Sequence, residues 1–506
     1  MPGNSKPNKN MCSVFNILAV CLFWFDRGSS LFHIGDLKVE RARIKVLKGF
    51  VVICIVFRVY LLNSVSCRAP LNIAVIGTGI AGMSAAWLLQ SAHRVTVYEK
   101  NQRLGGHSHT VNAPALFDST PVDTGFIVYN EKNYPNLTAL FRYLGVDTKK
   151  SEMSFSASLR GGSFEYSGSH LNGLLGQRSN LLKPRFWRML MDILRFYREA
   201  PEVLKCQDAE TLSLGEYLQH SGYGDEFLED HLLPMGAAIW STTRTEIAAY
   251  PALAFIRFFV SHGLLELHDR PQWRTVDGGS RAYVEKLCAG FADRISYQGV
   301  VGVMRDSAGV TVVDASGFSS RYDHVIFANH ADEALAIIED ADEIERSLLG
   351  RWRYTANRAV LHSDHSLMPK RRRIWSSWNF VDDGCDAERA CVTYWMNRLQ
   401  SLDIGRPIFV TLNPVREPAK ETIIGEFDYT HPYFDMSAMA SQTQLWSLQG
   451  RRRSWFCGSY FGYGFHEDAL QSGLAVAEEL GGVMRPWCIS QEAERIQRPR
   501  GRRAVA

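Results

Sequence analysis

Three glycines fall within six positions in Gly77-Thr78-Gly79-Ile80-Ala81-Gly82. That spacing suits phosphate binding: Gly77 permits a tight turn, Gly79 lets backbone amides approach a diphosphate, and Gly82 lets a helix pack close to a strand. Glu99 follows Gly82 by seventeen positions. A carboxylate there can accept hydrogen bonds from a ribose diol, and it disfavours a cofactor with a 2′-phosphate. The chemistry implied is dinucleotide binding, with NAD and FAD both open at this point.

The glycines carry that meaning only between a strand and a helix, and the flanking residues supply both. "LNIAVIG", from Leu71, is a run of β-branched and aliphatic residues that predicts a buried strand. "IAGMSAAWLLQSA" then places Ile80, Met83, Trp87 and Leu88 at helical spacing, and "HRVTVYEK" predicts a second strand. The helix N-terminus offers free N–H groups and partial positive charge to the diphosphate.

Beyond Glu99, "EKNQRLGGHSHTV" brings Arg103, a cation for a diphosphate, and Gly105-Gly106, which leave room for a bulky ring system beside the backbone. This stretch resembles the second signature of the flavin amine oxidase, phytoene desaturase and protoporphyrinogen oxidase superfamily. His107 stands where that superfamily usually has arginine. Near the other end, "SWFCGSYFGYGFHEDALQSGLAVAEEL" predicts a strand, a turn at Gly458, a Gly-rich loop and a helix from about Asp468. It resembles the superfamily's C-terminal flavin segment, whose helix N-terminus stabilises negative charge on the reduced flavin. Glu467 and Asp468 suit either helix capping or cofactor contact. Cys457 reads as core, so the FAD is expected to be non-covalent. Strands around 295–328 resemble those beside the adenosine, with Val300 against the adenine, and "VDGGS" at 276–280 resembles a further glycine pair of the superfamily.

The resemblance implies an α/β fold of amine-oxidase-like, two-domain architecture. A discontinuous Rossmann-like FAD-binding domain takes residues 71–165, 265–335 and 450–490. An α+β substrate domain takes 166–264, read as mostly helical from Pro184 to Glu266, and 336–449, read as an antiparallel sheet from Arg351 to Asp428. Trp240, Trp378, Tyr394 and Asn397 are the candidates for the wall over the flavin. His362 and Asp364, one residue apart on a strand and so on one face, are candidates for an acid/base pair, with a surface pair as the alternative. No Ser/His/Asp arrangement competes as a centre of chemistry.

The blocks "AVIGTGIAGMSAAWLL", "RPQWRTVDGGS", "VTYWMNRLQ" and "YFGYGFHED" resemble the bacterial subgroup described as predicted NAD/FAD-binding proteins. That subgroup is associated with cyclopropane-type fatty-acyl modification, which implies a lipid acyl chain as substrate. The expected reaction moves a hydride equivalent from a C–H bond to FAD. Oxidation of a primary or secondary amine is the alternative within enzymes, although no motif here identifies a counterpart of the lysine that holds a water in many amine oxidases. A lipid carrier or escort protein of the same fold is the alternative outside them.

A net charge of +3 over 506 residues gives no case for nucleic acid. Ten cysteines without a C-x-x-C pair indicate neither a disulfide framework nor a metal site, and a reducing, cytoplasmic setting is expected. The basic runs Lys370–Arg373, Arg451–Arg453 and the tail 491–506 read as solvated surface, with an anionic membrane as the sharper option. Residues 1–70 hold two apolar runs, Val14–Phe25, which has the length of a signal-peptide core, and Phe50–Val65, either of which suits a membrane anchor; a poorly structured extension, or a translation start nearer to Leu71, is the preferred reading.

Overall fold

The computed structural model describes residues 69–114, 119–168, 171–205, 212–266, 268, 270–384, 391–490 and 494–498. The two apolar runs before residue 70, and most of the basic tail, lie outside the described residues.

The expected strand-turn-helix-strand unit forms at Asn72–Ile76, Ile80–Leu89 and Arg94–Tyr98. It is the centre of a five-stranded parallel sheet in the order Ile295–Ser296, Arg94–Tyr98, Asn72–Ile76, His324–Phe327, Ser454–Phe456. Val75 stands opposite Val97 on one side and Ile326 on the other. All three are fully buried, as a central parallel strand covered on both faces requires. The register aligns the carboxyl ends Ile76, Phe327 and Phe456, so the turns that follow them open into one crevice, where open α/β sheets bind ligands.

A three-stranded antiparallel sheet, Val300–Arg305, Val310–Asp314 and Ser319–Tyr322, follows in the chain. The segment from Pro184 to Ser261 is mainly helical. The larger, seven-stranded sheet runs Ile423–Tyr433, Arg353–His362, Phe409–Leu412, Cys391–Trp395, Trp378–Val381, Phe155–Leu159, Phe164–Ser167. Its pairings are antiparallel except where Trp378–Val381 meets Phe155–Leu159 in parallel. Residues 155–167 thus pair into this sheet and not into the five-stranded one. A link across more than two hundred residues leaves no trace in local periodicity. The fold class is the expected one: a Rossmann-like parallel sheet beside an α+β region.

Candidate functional site

The crevice is built from two chain turns that meet. Gly77 takes φ +105°, and a Cβ on Gly82 would lie 2.0 Å from the Gly77 carbonyl, so the helix Ile80–Leu89 can approach its strand only without that side chain. Gly79 has nothing within 4 Å of its own would-be Cβ, and its backbone borders open space. The second glycine pair lies on this turn: Gly105 N donates to the Thr78 carbonyl at 3.1 Å, and a Cβ on Gly106 would stand 3.1 Å from the Gly79 Cα. Arg103 Nη1 donates to the Gly106 carbonyl at 2.7 Å. Glu99 is buried; its Oε2 accepts from the Thr78 amide at 3.1 Å and from the Thr78 hydroxyl, and its Oε1 accepts from the Asn101 amide at 2.9 Å.

From the other side comes the turn after Ser454–Phe456. Gly458 N donates to Ser472 Oγ at 2.9 Å, and the helix His466–Gly481 starts beyond the loop, two residues earlier than predicted. That helix packs directly on Ile80–Leu89: a Cβ on Gly473 would lie 2.2 Å from the Ala81 carbonyl. Gly79, Ile80 and Ala81 at one helix start, and Phe465, His466 and Ala469 at the other, therefore line the same cavity.

Glu467 and Asp468 take structural roles and do not line that cavity. Glu467 Oε1 accepts from the Asn136 amide at 3.0 Å and Oε2 from the Leu137 amide at 3.0 Å, which caps the helix Pro135–Leu144. Asp468 Oδ2 accepts from the Phe465 amide at 2.8 Å, and its other oxygen faces Arg495 at 3.4 Å. Of the two options sequence left open for these acids, capping is the one observed.

The cavity encloses about 320 Å³, at the small end for ligand pockets. Trp240, Trp378 and Tyr394 line it, with the Trp378 and Tyr394 rings edge-to-face at 4.9 Å. Among the described residues, its wall holds no Asp, Glu, Lys or Arg. It holds five histidines instead: His107, His262, His330, His431 and His466. Burial keeps them neutral, lowering His431 to about 4 and both His262 and His466 to about 3. His107 is pushed well below its ordinary value, first by burial and then by His431 and His330. Among the described residues, His107 Nε2, Asn329 Oδ1, Trp240 Nε1 and Trp378 Nε1 are buried without a hydrogen-bond partner. Unpaired buried polar atoms are costly, and a polar, ring-bearing cofactor in the cavity would satisfy them.

Four candidates fall elsewhere. His362 is fully buried between strands, its Nε2 2.7 Å from Thr411 Oγ1, while its Nδ1 accepts from the Asp364 amide at 3.1 Å. The Asp364 carboxylate accepts from the Ser366 and Ala419 amides. The chain leaves the strand at His362, so the expected shared face does not form, and the pair has no access to the cavity. Asn397 borders an outer recess, with Oδ1 accepting from Ile408 N at 2.7 Å and Nδ2 donating to the Arg406 carbonyl at 3.0 Å. That recess shares Met153 and Trp273 with the cavity. Val300 is half-buried at the start of its strand and does not line the cavity. Sequence reasoning missed His262, His330, His431 and His466, whose positions on four separate segments give no spacing signal.

The sequence model of the flavin containing amine oxidoreductase family matches residues 80–363, more than half of the chain. The chain belongs to that family. It is an FAD-dependent oxidoreductase. Solved structures share the fold of this flavin oxidoreductase at low identity. Wild-type putrescine oxidase bound to putrescine has a TM-score of 0.60 at 15% identity, covering 81% of this chain and 99% of its own. Cyclohexylamine oxidase from Brevibacterium oxydans has 0.59 at 17%, covering 81% and 99%. A CLA-producing fatty acid isomerase from P. acnes has 0.57 at 17%, covering 82% and 99%.

Proposed function

We propose that this oxidoreductase removes a hydride equivalent from an uncharged, apolar carbon chain, of the kind a lipid acyl group presents. The observation that carries this reading is the cavity wall, which among the described residues has no Asp, Glu, Lys or Arg and whose five histidines are kept neutral by burial. Desolvating an ammonium costs several kcal/mol, and each aromatic face such as Trp240 or Tyr394 returns about 2 kcal/mol or somewhat more. An acyl chain gains about 0.8 kcal/mol for each methylene buried against the same wall. A fatty acid isomerase on this fold is consistent with the reading, while the putrescine and cyclohexylamine oxidases keep amine oxidation as the competing one.

When bound, FAD supplies the two-electron acceptor. The chain's own groups would bind and orient it. Backbone amides at Gly79 and the start of Ile80–Leu89 would face the diphosphate, with Arg103 nearby and Glu99 and Val300 on the adenosine side. Gly105, Gly106 and His107 would lie along the ring system, and Gly458 with the start of His466–Gly481 would meet its far edge. Trp240, Trp378 and Tyr394 would close the substrate side, exclude water and hold a C–H bond at near-attack distance.

The test is anaerobic reduction of the flavin in the purified full chain, with fatty acids and their methyl esters set against primary and secondary amines. Bleaching by the acyl compounds supports the reading; bleaching by amines alone contradicts it.

A further inference from the structure

A neutral histidine carries its proton on one ring nitrogen only, and the hydrogen bond made by one nitrogen decides what the other can do. For His431, on the cavity wall, a relay of amides makes that decision. Asn413 Oδ1 accepts from the Arg358 amide at 3.0 Å; a backbone N–H can only donate, so Asn413 must turn its nitrogen toward Asn357. Asn413 Nδ2 then donates to Asn357 Oδ1 at 2.7 Å. That leaves Asn357 Nδ2 for the Thr355 carbonyl, which can only accept, at 3.1 Å, and for His431 Nδ1, also at 3.1 Å. Two backbone groups thus orient the two side-chain amides independently. His431 Nδ1 accepts, and its proton is on Nε2.

The relay is held firmly. Asn357 is buried, and Asn413 sits at φ +48°, a conformation asparagine adopts more readily than most residues, with its own amide donating back to the Arg358 carbonyl at 2.8 Å. Thr355 pairs with His431 and Asn357 with Tyr429, so Asn357 stands diagonally across the strand pair from His431. His431 Nε2 makes no hydrogen bond among the described residues, and the ring lines the cavity, which is therefore offered an N–H donor of fixed tautomer. His262 is the opposite case: its Nδ1 donates to the Phe258 carbonyl at 3.0 Å, which leaves Nε2 an acceptor.

Position decides what the donor meets. The His431 ring is 5.2 Å from that of His107, which is 6.2 Å from that of His330. His107 follows Gly106, which abuts Gly79, and His330 follows Asn329, whose amide would lie 3.4 Å from a Cβ on Gly77. His431 thus stands with the residues of the dinucleotide turn. A reduced flavin carries negative charge, and among the described residues the wall has no Lys or Arg to meet it. A preorganised neutral donor stabilises that charge without burying a cation.

We infer that His431 donates a hydrogen bond from Nε2 to the flavin ring system and so favours its reduced form, with Asn357 and Asn413 as the positioning residues that hold the donor in place. The inference rests on the ring placement proposed above, and it holds for an acyl or an amine substrate alike.

Midpoint potentials of the FAD-loaded full chain test it. His431→Leu is expected to weaken binding of reduced relative to oxidised flavin at least about tenfold, which lowers the potential of this two-electron couple by about 30 mV. His431→Gln, which keeps an N–H donor, should shift it less. Asn357→Leu, at a position that does not line the cavity, should change the same ratio about threefold in the same direction, because the tautomer is no longer fixed. A residue that only supported the fold would change stability or flavin content and leave the potential alone. Native potentials in both His431→Leu and Asn357→Leu would overturn the inference. So would a crystal structure of the native FAD-loaded chain with His431 Nε2 beyond about 3.5 Å from every flavin nitrogen and oxygen, whereas a contact of about 2.7–3.2 Å supports it whether or not the variants fold. Ring density outside the cavity would remove the ring placement too; ring density inside it with Nε2 unbonded would remove this inference alone.

Discussion

A β-carbon on Gly106 would stand 3.1 Å from the Cα of Gly79, with Gly106 itself at φ +56°. The glycine pair and the first dinucleotide turn are therefore one surface, and a side chain at 106 must push Gly79 into the space where the cofactor would lie. Gly106→Val is expected to lower FAD affinity at least about tenfold, since a β-branched residue at positive φ costs roughly 1–3 kcal/mol before any displacement of Gly79. The ratio of flavin to protein absorbance measures it. Circular dichroism should remain native.

Stability away from the cavity rests partly on Arg305, whose side chain is fully buried against Glu345, with Asp340 at 3.0 Å and Ser454 Oγ at 3.0 Å. Arg305→Met leaves Glu345 buried without its partner. It should destabilise the chain by about 3–5 kcal/mol in urea unfolding. Arg305→Met with Glu345→Gln should recover much of that loss.

The pH dependence of stability follows from the buried histidines. His231, beside the Tyr166 hydroxyl at 3.0 Å, is lowered to about 3 by burial and secondarily by Arg270. Its unfolded value is near 6.5. Between those limits the unfolded chain binds a proton that the folded chain refuses, so stability is complete above about pH 6.5 and falls as pH drops toward 3. Asp123, raised to about 6 by burial, opposes this below pH 6, because there the folded state takes up the proton first. His231→Phe isolates one contribution: the slope of unfolding free energy against pH between 6 and 4 should flatten by roughly 1.4 kcal/mol per pH unit. An unchanged slope would mean that His231 titrates normally in the folded chain.

What the sequence revealed was local. The strand-turn-helix unit around Gly77, Gly79 and Gly82 lies within 27 residues, Asn72 to Tyr98, and periodicity located each element. Glu467 shows the limit. Its position near a helix start was visible, but the amides it caps belong to Asn136 and Leu137, more than 300 residues away. His362 and Asp364 failed for the opposite reason: alternation predicts a shared face only while the strand continues, and this strand ends at His362. Trp240, Trp378 and Tyr394 were legible because large aromatics on a sheet or helix facing the crevice have few other places to go. The rest of the histidine wall was not, since His262, His330, His431 and His466 join His107 only once the two sheets and the helical segment are assembled.

Cys457 is fully buried, and burial pushes its thiol up, away from the reactive thiolate. Its amide donates to the Phe327 carbonyl at 3.0 Å, as an extension of the strand. Acid precipitation of the native chain should release all yellow flavin into the supernatant, and Cys457→Ala should retain flavin equally well. Flavin that stays in the native pellet and is lost from the variant's pellet would show a covalent link.

The central claim is a single FAD spanning from the Gly79 turn to the start of the helix at His466. Its most direct test is a crystal structure of the FAD-loaded chain. The account requires diphosphate density at the Gly79 amide and the ring system between Gly458–His466 and the Trp378–Tyr394 wall. Density for FAD outside this cavity, or ring density on the far side of the Gly79 turn, would contradict it.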